Sequence, residues 1–377
     1  MGAILQIVLL RRLEPGGIVH TQTATSPAVM SHSNRFLFTN GVVSPSPDTP
    51  PVTTLLEAHP GAYTTTRTHS NGSELLFWGR HLTRLSNSIN ILLTTRPKLL
   101  FENPEKNGVP FLGFSTRSVN WDSAIEVLVN DSIRKSLPTA LKERKCGEEL
   151  AITALVSGNL EKLSDSGGEF DEESICEFLD VYLHIAGYVP PLYVVRGNGA
   201  RLAVVGPGRD VANAKYSDWV RLRKCLEKLR PPSITELLLS NDGDRILEGC
   251  LTNFFVICLK DKNEDGNFAE KKGSQTFRSV EIQTAPVADG VLPGVIRQVI
   301  TQSLKSGYIA DSLRVLQHVD TIQVPDSWES VESKTWKEIT WVEKRFEDGP
   351  GRITSIIQRE IMEKAGIETF PVASLNS

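Results

Sequence analysis

The stretch that decides the fold is ELLLSNDGDRILEGCLTNFFV, residues 236–256. Residues 237–239 are an apolar run, residues 241–244 have the composition of a turn, and a second apolar segment returns past Glu248. Asp-Gly between two apolar runs predicts a hairpin, because both residues tolerate the positive φ that such turns require. Glu248 lies within the returning run, where a carboxylate is costly to bury without a partner. We therefore expect Glu248 to face a cationic group.

The bulk composition is that of an ordinary soluble globular protein. The 377 residues are 40% apolar and 23% charged, with a formal net charge of −4, and this length suits two domains. The chain has no basic stripe with interleaved aromatic residues, so no nucleic-acid partner is expected. It also has no run of about 18 apolar residues, so no membrane span is expected.

The cysteines and histidines show no metal-binding spacing. The five cysteines are odd in number and include no C-x-x-C pair, which predicts free, buried thiols in a reducing compartment. The seven histidines are also not spaced as metal ligands, and no metal site is predicted.

The sequence divides into three parts. Residues 1–35 include a basic, hydroxyl-rich and acid-poor stretch, which indicates either a transit peptide or a disordered extension. The protein is accordingly expected in the cytoplasm, or in a plastid or mitochondrion if the extension is a transit peptide. Residues 36–190 are predicted to form a small N-terminal domain, and residues 191–377 a larger C-terminal one.

Local patterns predict several elements that carry candidate functional residues. Residues 62–69 and 74–78 read as a hairpin that leads into an amphipathic helix ending at residue 96. Residues 121–142 predict a second amphipathic helix, and residues 182–195 a crossover between the domains. Residues 216–229 predict a helix, because Trp, Leu, Leu and Leu recur at 3-, 4- and 3-residue spacing.

Three candidates each have a plain and a functional interpretation. Lys215, at the start of the predicted 216–229 helix, is either an exposed lysine or a reactive amine whose neutral form the helix dipole favours. Arg84, near the start of the helix that ends at residue 96, is either a surface arginine or a phosphate ligand. The Leu-Pro-Gly turn at residues 292–294 starts a helix whose free amides are either solvated or ready to bind phosphate.

Together with Glu248 these candidates suit pyridoxal phosphate. Its chemistry requires a lysine Schiff base, a carboxylate that keeps the pyridine nitrogen protonated, and a cradle for the phosphate group.

The chain resembles the class IV aminotransferases over residues 36–366. The resemblance is carried by E-G-C-L-T-N-F-F at 248–255, T-A-P at 284–286 and G-V-L-P-G-V-I-R at 290–297. It implies an α+β, two-domain, fold type IV enzyme with a small α/β domain. The larger domain would hold a β-barrel-like sheet with flanking helices. It also implies a homodimer.

The resemblance extends to individual site residues. Lys215, 33 residues before Glu248, stands where the family keeps its Schiff-base lysine, and Glu248 matches the ligand of the pyridine nitrogen. The matching phosphate ligands are the Arg84 side chain, the backbone amides of Val295 and Ile296, and the Ser312 hydroxyl.

The resemblance leaves three functions open. The first is an aminotransferase of the branched-chain or D-amino acid type, acting on amino acids and 2-oxo acids. The second is an aminodeoxychorismate lyase, in which Thr65 would assist proton transfer as a threonine does there. The third is a weakly active member with a binding or regulatory role. It is suggested by Asp218 and Trp219 in place of the usual Asn and Tyr or Arg, and by a short 297–312 segment.

Overall fold

The computed structural model describes residues 4–11, 35–44, 49–101, 120–159, 162, 177–190, 199–259, 280–305, 317–346 and 352–376. Ser312, one of the predicted phosphate ligands, lies outside these residues. The first half of the described chain contains seven strands and three helices, in the order β1 (Ile4–Arg11), β2 (Arg35–Thr39), β3 (Val42–Val43), α1 (Val52–Ala58), β4 (Ala62–His69), β5 (Glu74–Leu76), α2 (Trp78–Thr95), α3 (Trp121–Lys142), β6 (Glu149–Gly158) and β7 (Leu179–Tyr188).

The second half of the described chain alternates short strands with helices. Its elements are β8 (Ala200–Val205), α4 (Trp219–Leu222), α5 (Lys224–Glu227), β9 (Glu236–Leu239), β10 (Glu248–Gly249), β11 (Thr252–Leu259), β12 (Val280–Gln283), α6 (Val295–Lys305), β13 (Gln317–Pro325), β14 (Trp341–Arg345), α7 (Arg352–Ile367) and β15 (Thr369–Pro371).

The first sheet is antiparallel throughout, with strand order β15-β5-β4-β6-β7-β2-β3. The buried apolar residues of α2 and α3, such as Leu85 and Ile133, join one core with those of β6 and β7, such as Ile152 and Leu183. The amphipathic helices predicted from periodicity are confirmed, because α2 ends at Thr95 and α3 spans Trp121–Lys142.

The second sheet has strand order β10-β9-β8-β13-β1-β11-β12, and β14 also pairs with β13. The β8–β9 and β13–β8 pairs are parallel, and the remaining pairs are antiparallel. Two sheets with flanking helices confirm the predicted mixed architecture. Among the described strands, the outer strands β10 and β12 do not pair with each other, so these pairings do not close a barrel.

The predicted hairpin is present, although its turn is longer than a two-residue connection. Glu248 pairs with Leu239 across β9 and β10, and residues 240–247 connect the two strands. Gly243 takes the positive φ of 83°, whereas the Asp242 carboxylate accepts hydrogen bonds from the amides of Asp244 (3.0 Å) and Arg245 (2.9 Å). Asp242 therefore stabilises the turn through its side chain rather than through an unusual backbone conformation.

Three predictions from the sequence were wrong. Ile4–Arg11 is not disordered but forms strand β1, because its backbone pairs with β11, far away in the sequence; the alternative that residues 1–35 include a transit peptide stays a prediction. Much of the predicted crossover at 182–195 belongs to strand β7. The predicted 216–229 helix is two four-residue helices, α4 and α5. The spacing of its apolar residues wrongly predicted one continuous buried face, because Leu222, a member of that face, is exposed.

Two further expectations concern thiols and membranes. Four cysteines fall within the described residues and are free, but Cys146 and Cys225 are exposed, Cys258 is half-buried and only Cys250 is fully buried. The expectation of buried thiols was therefore wrong for the first two. No helix in the described ranges has the length and apolar character needed to cross a membrane.

Candidate active site

Lys215 lies between α2 and the start of β4. Its backbone N–H donates to the Ser88 hydroxyl (3.1 Å), and its carbonyl accepts from the Tyr63 N–H (2.9 Å). The residue is only 3% exposed, and Nζ lies 4.1 Å from the centroid of the Tyr63 ring. Lys215 precedes α4 by four residues, so the helix dipole invoked from the sequence does not act on it. Its position comes instead from two hydrogen bonds and an aromatic contact.

Glu248 is fully buried on β10, and its carboxylate has partners on both oxygens. Oε1 accepts from Arg209, with Nε and Nη2 each at 2.9 Å. Oε2 accepts from the Leu292 N–H (2.9 Å) and from Asn253 Nδ2 (3.2 Å). Glu248 therefore faces a protein guanidinium, and a cofactor ring nitrogen as its partner stays a prediction.

Arg209 was not identified from the sequence. Besides Glu248 it donates to the Ala212 carbonyl (3.0 Å), and its guanidinium lies 5.4 Å from the centroid of the Trp219 ring. The Trp219 indole N–H in turn donates to the Cys250 carbonyl (2.8 Å). The only sequence signal for such a residue was indirect, since a buried carboxylate needs a countercharge somewhere in the chain.

Asn253 connects the hairpin to the turn before α6. Its Nδ2 donates to Glu248 and also to the Leu292 carbonyl (3.0 Å). Gly294 makes this close approach possible, because a Cβ there would lie 2.2 Å from Asn253 Oδ1. Asn253 falls inside the 248–255 motif, so the sequence contained a signal for it, but no role was assigned.

Arg84 lies on α2 with its guanidinium buried against β4. Nη2 donates to Thr64 Oγ1 (2.6 Å), and that oxygen lies 2.8 Å from His81 Nδ1. Burial, followed by the charges of Arg84 and Lys215, holds the pKa of His81 well below its usual value. The imidazole is therefore neutral, and its Nδ1 shares a hydrogen bond with the Thr64 hydroxyl. Arg84 is also linked to Lys215, because the Ser88 hydroxyl accepts from the Lys215 N–H (3.1 Å) and donates to the Arg84 carbonyl (2.8 Å).

Thr65 points away from this cluster. Neighbouring residues of a strand face opposite sides of the sheet, so Thr64 faces α2 while Thr65 shares a face with Tyr63. Thr65 Oγ1 lies 3.0 Å from Thr153 Oγ1 on β6. Because the Tyr63 ring contacts Lys215 Nζ, the predicted catalytic threonine lies on the face of the sheet that this amine reaches.

Val295 and Ile296 form the first turn of α6, as predicted. The first amides of a helix have no partner within it and are therefore available to an anion. In the same turn, Arg297 donates to the Thr284 hydroxyl (2.6 Å) and the Ala285 carbonyl (2.8 Å). Burial lowers the pKa of Arg297, and the negative charge of Glu248 opposes that shift. The Glu248 carboxylate lies near the start of α6, because it accepts from the N–H of Leu292, three residues before that helix.

The comparisons with known proteins give one family and a set of structural neighbours. The family model described as Amino-transferase class IV matches residues 61–321. No curated protein matches the sequence.

Three solved structures illustrate the neighbours. The chain is 15% identical to a hypothetical aminotransferase from Mycobacterium tuberculosis in its apo form, covering 88% of this chain and 98% of that one at a TM-score of 0.47. It is 17% identical to the branched-chain aminotransferase of Thermoproteus uzoniensis with norvaline. That match covers 89% of this chain and 99% of the other, at a TM-score of 0.47. It is 12% identical to the branched-chain amino acid aminotransferase of Thermobaculum terrenum in its PLP form. That match covers 89% of this chain and 98% of the other, at a TM-score of 0.48.

Proposed function

The chain belongs to the class IV aminotransferases, and from this premise we propose that it is a pyridoxal phosphate-dependent transaminase. It moves the amino group of an amino acid to a 2-oxo acid. The observation that carries the proposal is the placement of two buried basic residues at one turn of α2: the Lys215 N–H donates to the Ser88 hydroxyl (3.1 Å), and that hydroxyl donates to the Arg84 carbonyl (2.8 Å). An aldehyde that also bears a phosphate group requires such a pair, an amine for one end and a guanidinium for the other.

The residues present fit this cofactor. Lys215 would bond to it covalently, and Glu248 would face its ring nitrogen. Arg84 and the amides of Val295 and Ile296 would hold its phosphate group. Ser312, outside the described residues, is proposed as a further phosphate ligand. When bound, the cofactor supplies an electron sink for the substrate's α-carbon.

The remaining chemistry belongs to the chain itself. Lys215 Nζ removes and returns the proton at the substrate's α-carbon. The Tyr63 ring covers one side of this amine and excludes water from it. The ion pair with Arg209 stabilises the negative charge on Glu248, and that charge is what a protonated ring nitrogen requires as its partner.

The test is covalent labelling of purified protein with added pyridoxal phosphate. Borohydride reduction followed by peptide mapping should place the label on Lys215, and Lys215→Ala should abolish both the label and the visible absorbance band. Lys224→Ala is the control, since Lys224 is an exposed lysine that pairs with Glu57. A label on any other lysine would overturn the site assignment.

The lyase alternative is favoured by one observation, the position of Thr65 on the face of the sheet that Lys215 Nζ reaches. A lyase would release pyruvate from aminodeoxychorismate and would depend on the Thr65 hydroxyl. Thr65→Val should then abolish pyruvate release, whereas a transaminase should keep its activity with amino donors. A chain that forms the lysine adduct and catalyses neither reaction would favour the third role, binding or regulation.

The proposal includes a homodimer, on the basis of family membership. Light scattering of the holoenzyme should give twice the chain mass of 41.6 kDa. A monomer that is fully active would contradict this part of the proposal.

A further inference from the structure

Val211 has a strained backbone four residues before Lys215. Its φ is 49°, in the left-handed region where the branched β-carbon of valine crowds the backbone. Of the six non-glycine residues with positive φ in the described chain, Val211 is the only one that is β-branched. Strain of this kind persists only where the surrounding structure holds it, and it is concentrated at functional sites.

Hydrogen bonds hold three successive carbonyl groups around Val211. The carbonyls of residues 210, 211 and 212 accept, in that order, from the Tyr216 hydroxyl (2.9 Å), the Ala214 N–H (3.0 Å) and Arg209 Nη2 (3.0 Å). The Val211 side chain is half-buried and packs against the core that α2 and α3 share with the first sheet. These contacts keep the turn in its strained conformation.

The two side-chain donors to this turn are themselves fixed. Burial raises the pKa of Tyr216 to about 12, so its hydroxyl keeps its proton at neutral pH and can donate it. Arg209 is held on its other side by the Glu248 carboxylate. The Arg209 guanidinium therefore connects the turn before Lys215 with the carboxylate on β10.

The backbone is also fixed at Lys215 and just beyond it. The Lys215 N–H and carbonyl are bound to Ser88 and Tyr63, and the Ser217 N–H donates to the Gly61 carbonyl (2.9 Å). A glycine at position 211 would take the same φ without strain, but it would also allow many other conformations. Backbone stability alone would therefore favour glycine over valine here.

From this geometry we infer that Val211 is a positioning residue, whose strained turn fixes the direction of the Lys215 side chain relative to Glu248. Once the three carbonyls are bound, the valine side chain restricts the turn to few conformations. The inference rests on the proposed function, because that function makes Lys215 the reactive amine. Val211 acts through Lys215 and takes no part in the chemistry itself.

The test compares Val211→Gly with Val211→Ala. Both variants lose the two methyl groups of valine, but only glycine takes a φ of 49° without strain. In the absence of cofactor, Val211→Gly should therefore melt above Val211→Ala, which is the reverse of the usual order. Val211→Gly should nevertheless bind pyridoxal phosphate at least about tenfold more weakly than Val211→Ala, because its lysine is less well oriented. Titration of the visible absorbance band measures this affinity.

Hydrogen exchange gives a second readout that needs no cofactor. The amides of residues 211–217 should exchange faster in Val211→Gly than in Val211→Ala, although the glycine variant is the more stable chain. Val127 provides the matched control, since it is an exposed valine of α3. Val127→Gly should melt below Val127→Ala, as is usual in a helix, and both should bind pyridoxal phosphate as wild type does.

Two results would overturn the inference. If Val211→Ala melts above Val211→Gly, the backbone at this position is not strained. If Val211→Gly binds pyridoxal phosphate as tightly as Val211→Ala, the turn does not position Lys215. Failure of the proposed function is distinct from both, because the wild-type chain would then form no adduct at Lys215. Failure of the role of Val211 leaves the wild-type adduct intact and is seen only in the variants.

Discussion

At the scale of single residues, a buried ion pair fixes the position of the Glu248 carboxylate. Glu248 and Arg209 are both excluded from water, and each is the other's main partner. A buried ion pair contributes little net stability compared with apolar residues, but removing one member leaves a buried charge alone. The pair therefore holds a carboxylate in a defined place at a cost that the fold must offset elsewhere.

Arg209→Met should destabilise the chain by about 3–5 kcal/mol, because it leaves the Glu248 carboxylate buried without its guanidinium. Arg209→Met combined with Glu248→Gln should recover much of this loss, since no unpaired charge remains. Urea unfolding of the two variants and wild type measures both quantities. Arg221→Met is the control, because Arg221 pairs with Asp218 at the surface. Equal stability of Arg209→Met and wild type would show that the carboxylate does not depend on Arg209.

The buried histidines predict how stability varies with pH. Burial lowers the pKa of His184 to about 4. The unfolded chain therefore binds a proton near pH 6.5 that the folded chain does not bind until about pH 4. The unfolding free energy should fall as pH drops through this window, by on the order of 3 kcal/mol for this group. His81 should add to the effect in the same direction.

Urea midpoints measured between pH 7.5 and pH 4.5 test this dependence. His184→Gln should flatten the curve, because glutamine does not titrate. A variant with the same slope as wild type would mean that His184 is not the group responsible.

Individual residues also show what sequence reasoning can reach. Lys215, Arg84 and Glu248 were identified because each falls in a motif or breaks a local pattern. Arg209 was not, because nothing in its neighbouring residues distinguishes it. Its significance comes from its contact with Glu248, which is distant in the sequence.

At the scale of elements, long helices were predicted well and long-range strand pairing was not. α3 was predicted with its observed bounds, since 22 residues contain several repeats of the helical period. α4 and α5 contain four residues each, which is too few for a period to be recognised. Strand β1 was missed because its composition shows only a short apolar run, while its structure depends on β11, about 250 residues away.

Strand β1 lies in the middle of the second sheet. It pairs with β11 over Ile4–Arg11, and with β13 at Val8 and Leu9. In the described sheet it is the link between β11–β12 and the strands from β13 to β10. Its last residues pair with Thr252 and Asn253, next to the Glu248 site. Removing β1 would leave two unpaired strand edges beside that site.

Truncation of residues 1–11 should therefore lower the unfolding midpoint and promote aggregation. Hydrogen exchange of the β11 amides should accelerate, because they lose their partner strand. Truncation of residues 1–3 alone is the control and should leave exchange unchanged. Native exchange in β11 after the longer truncation would place β1 outside the cooperative structure. It would also restore the interpretation of this segment as a removable extension.

At the scale of the whole molecule, neither sheet is built from one continuous part of the chain. β1 from the N-terminal end joins the second sheet, and β15 from the C-terminal end joins the first. One apolar cluster contains Leu76 of the first sheet and its neighbour Phe77, Phe255 and Ile257 of the second sheet, and residues of α6 and α7. The boundaries at 35/36 and 190/191 remain predictions, and these exchanges favour a chain that unfolds as one unit.

Ile361→Ala tests that cooperativity. Ile361 is fully buried in α7 within the shared cluster, so its truncation should cost about 2–5 kcal/mol. Ile367→Ala on the same helix is the control, because Ile367 is 79% exposed and should change stability little. If the sheets unfold together, far-UV circular dichroism and tryptophan fluorescence should shift to the same lower midpoint. Separate transitions, with only one displaced by Ile361→Ala, would show that the two sheets are independent despite the strands they exchange.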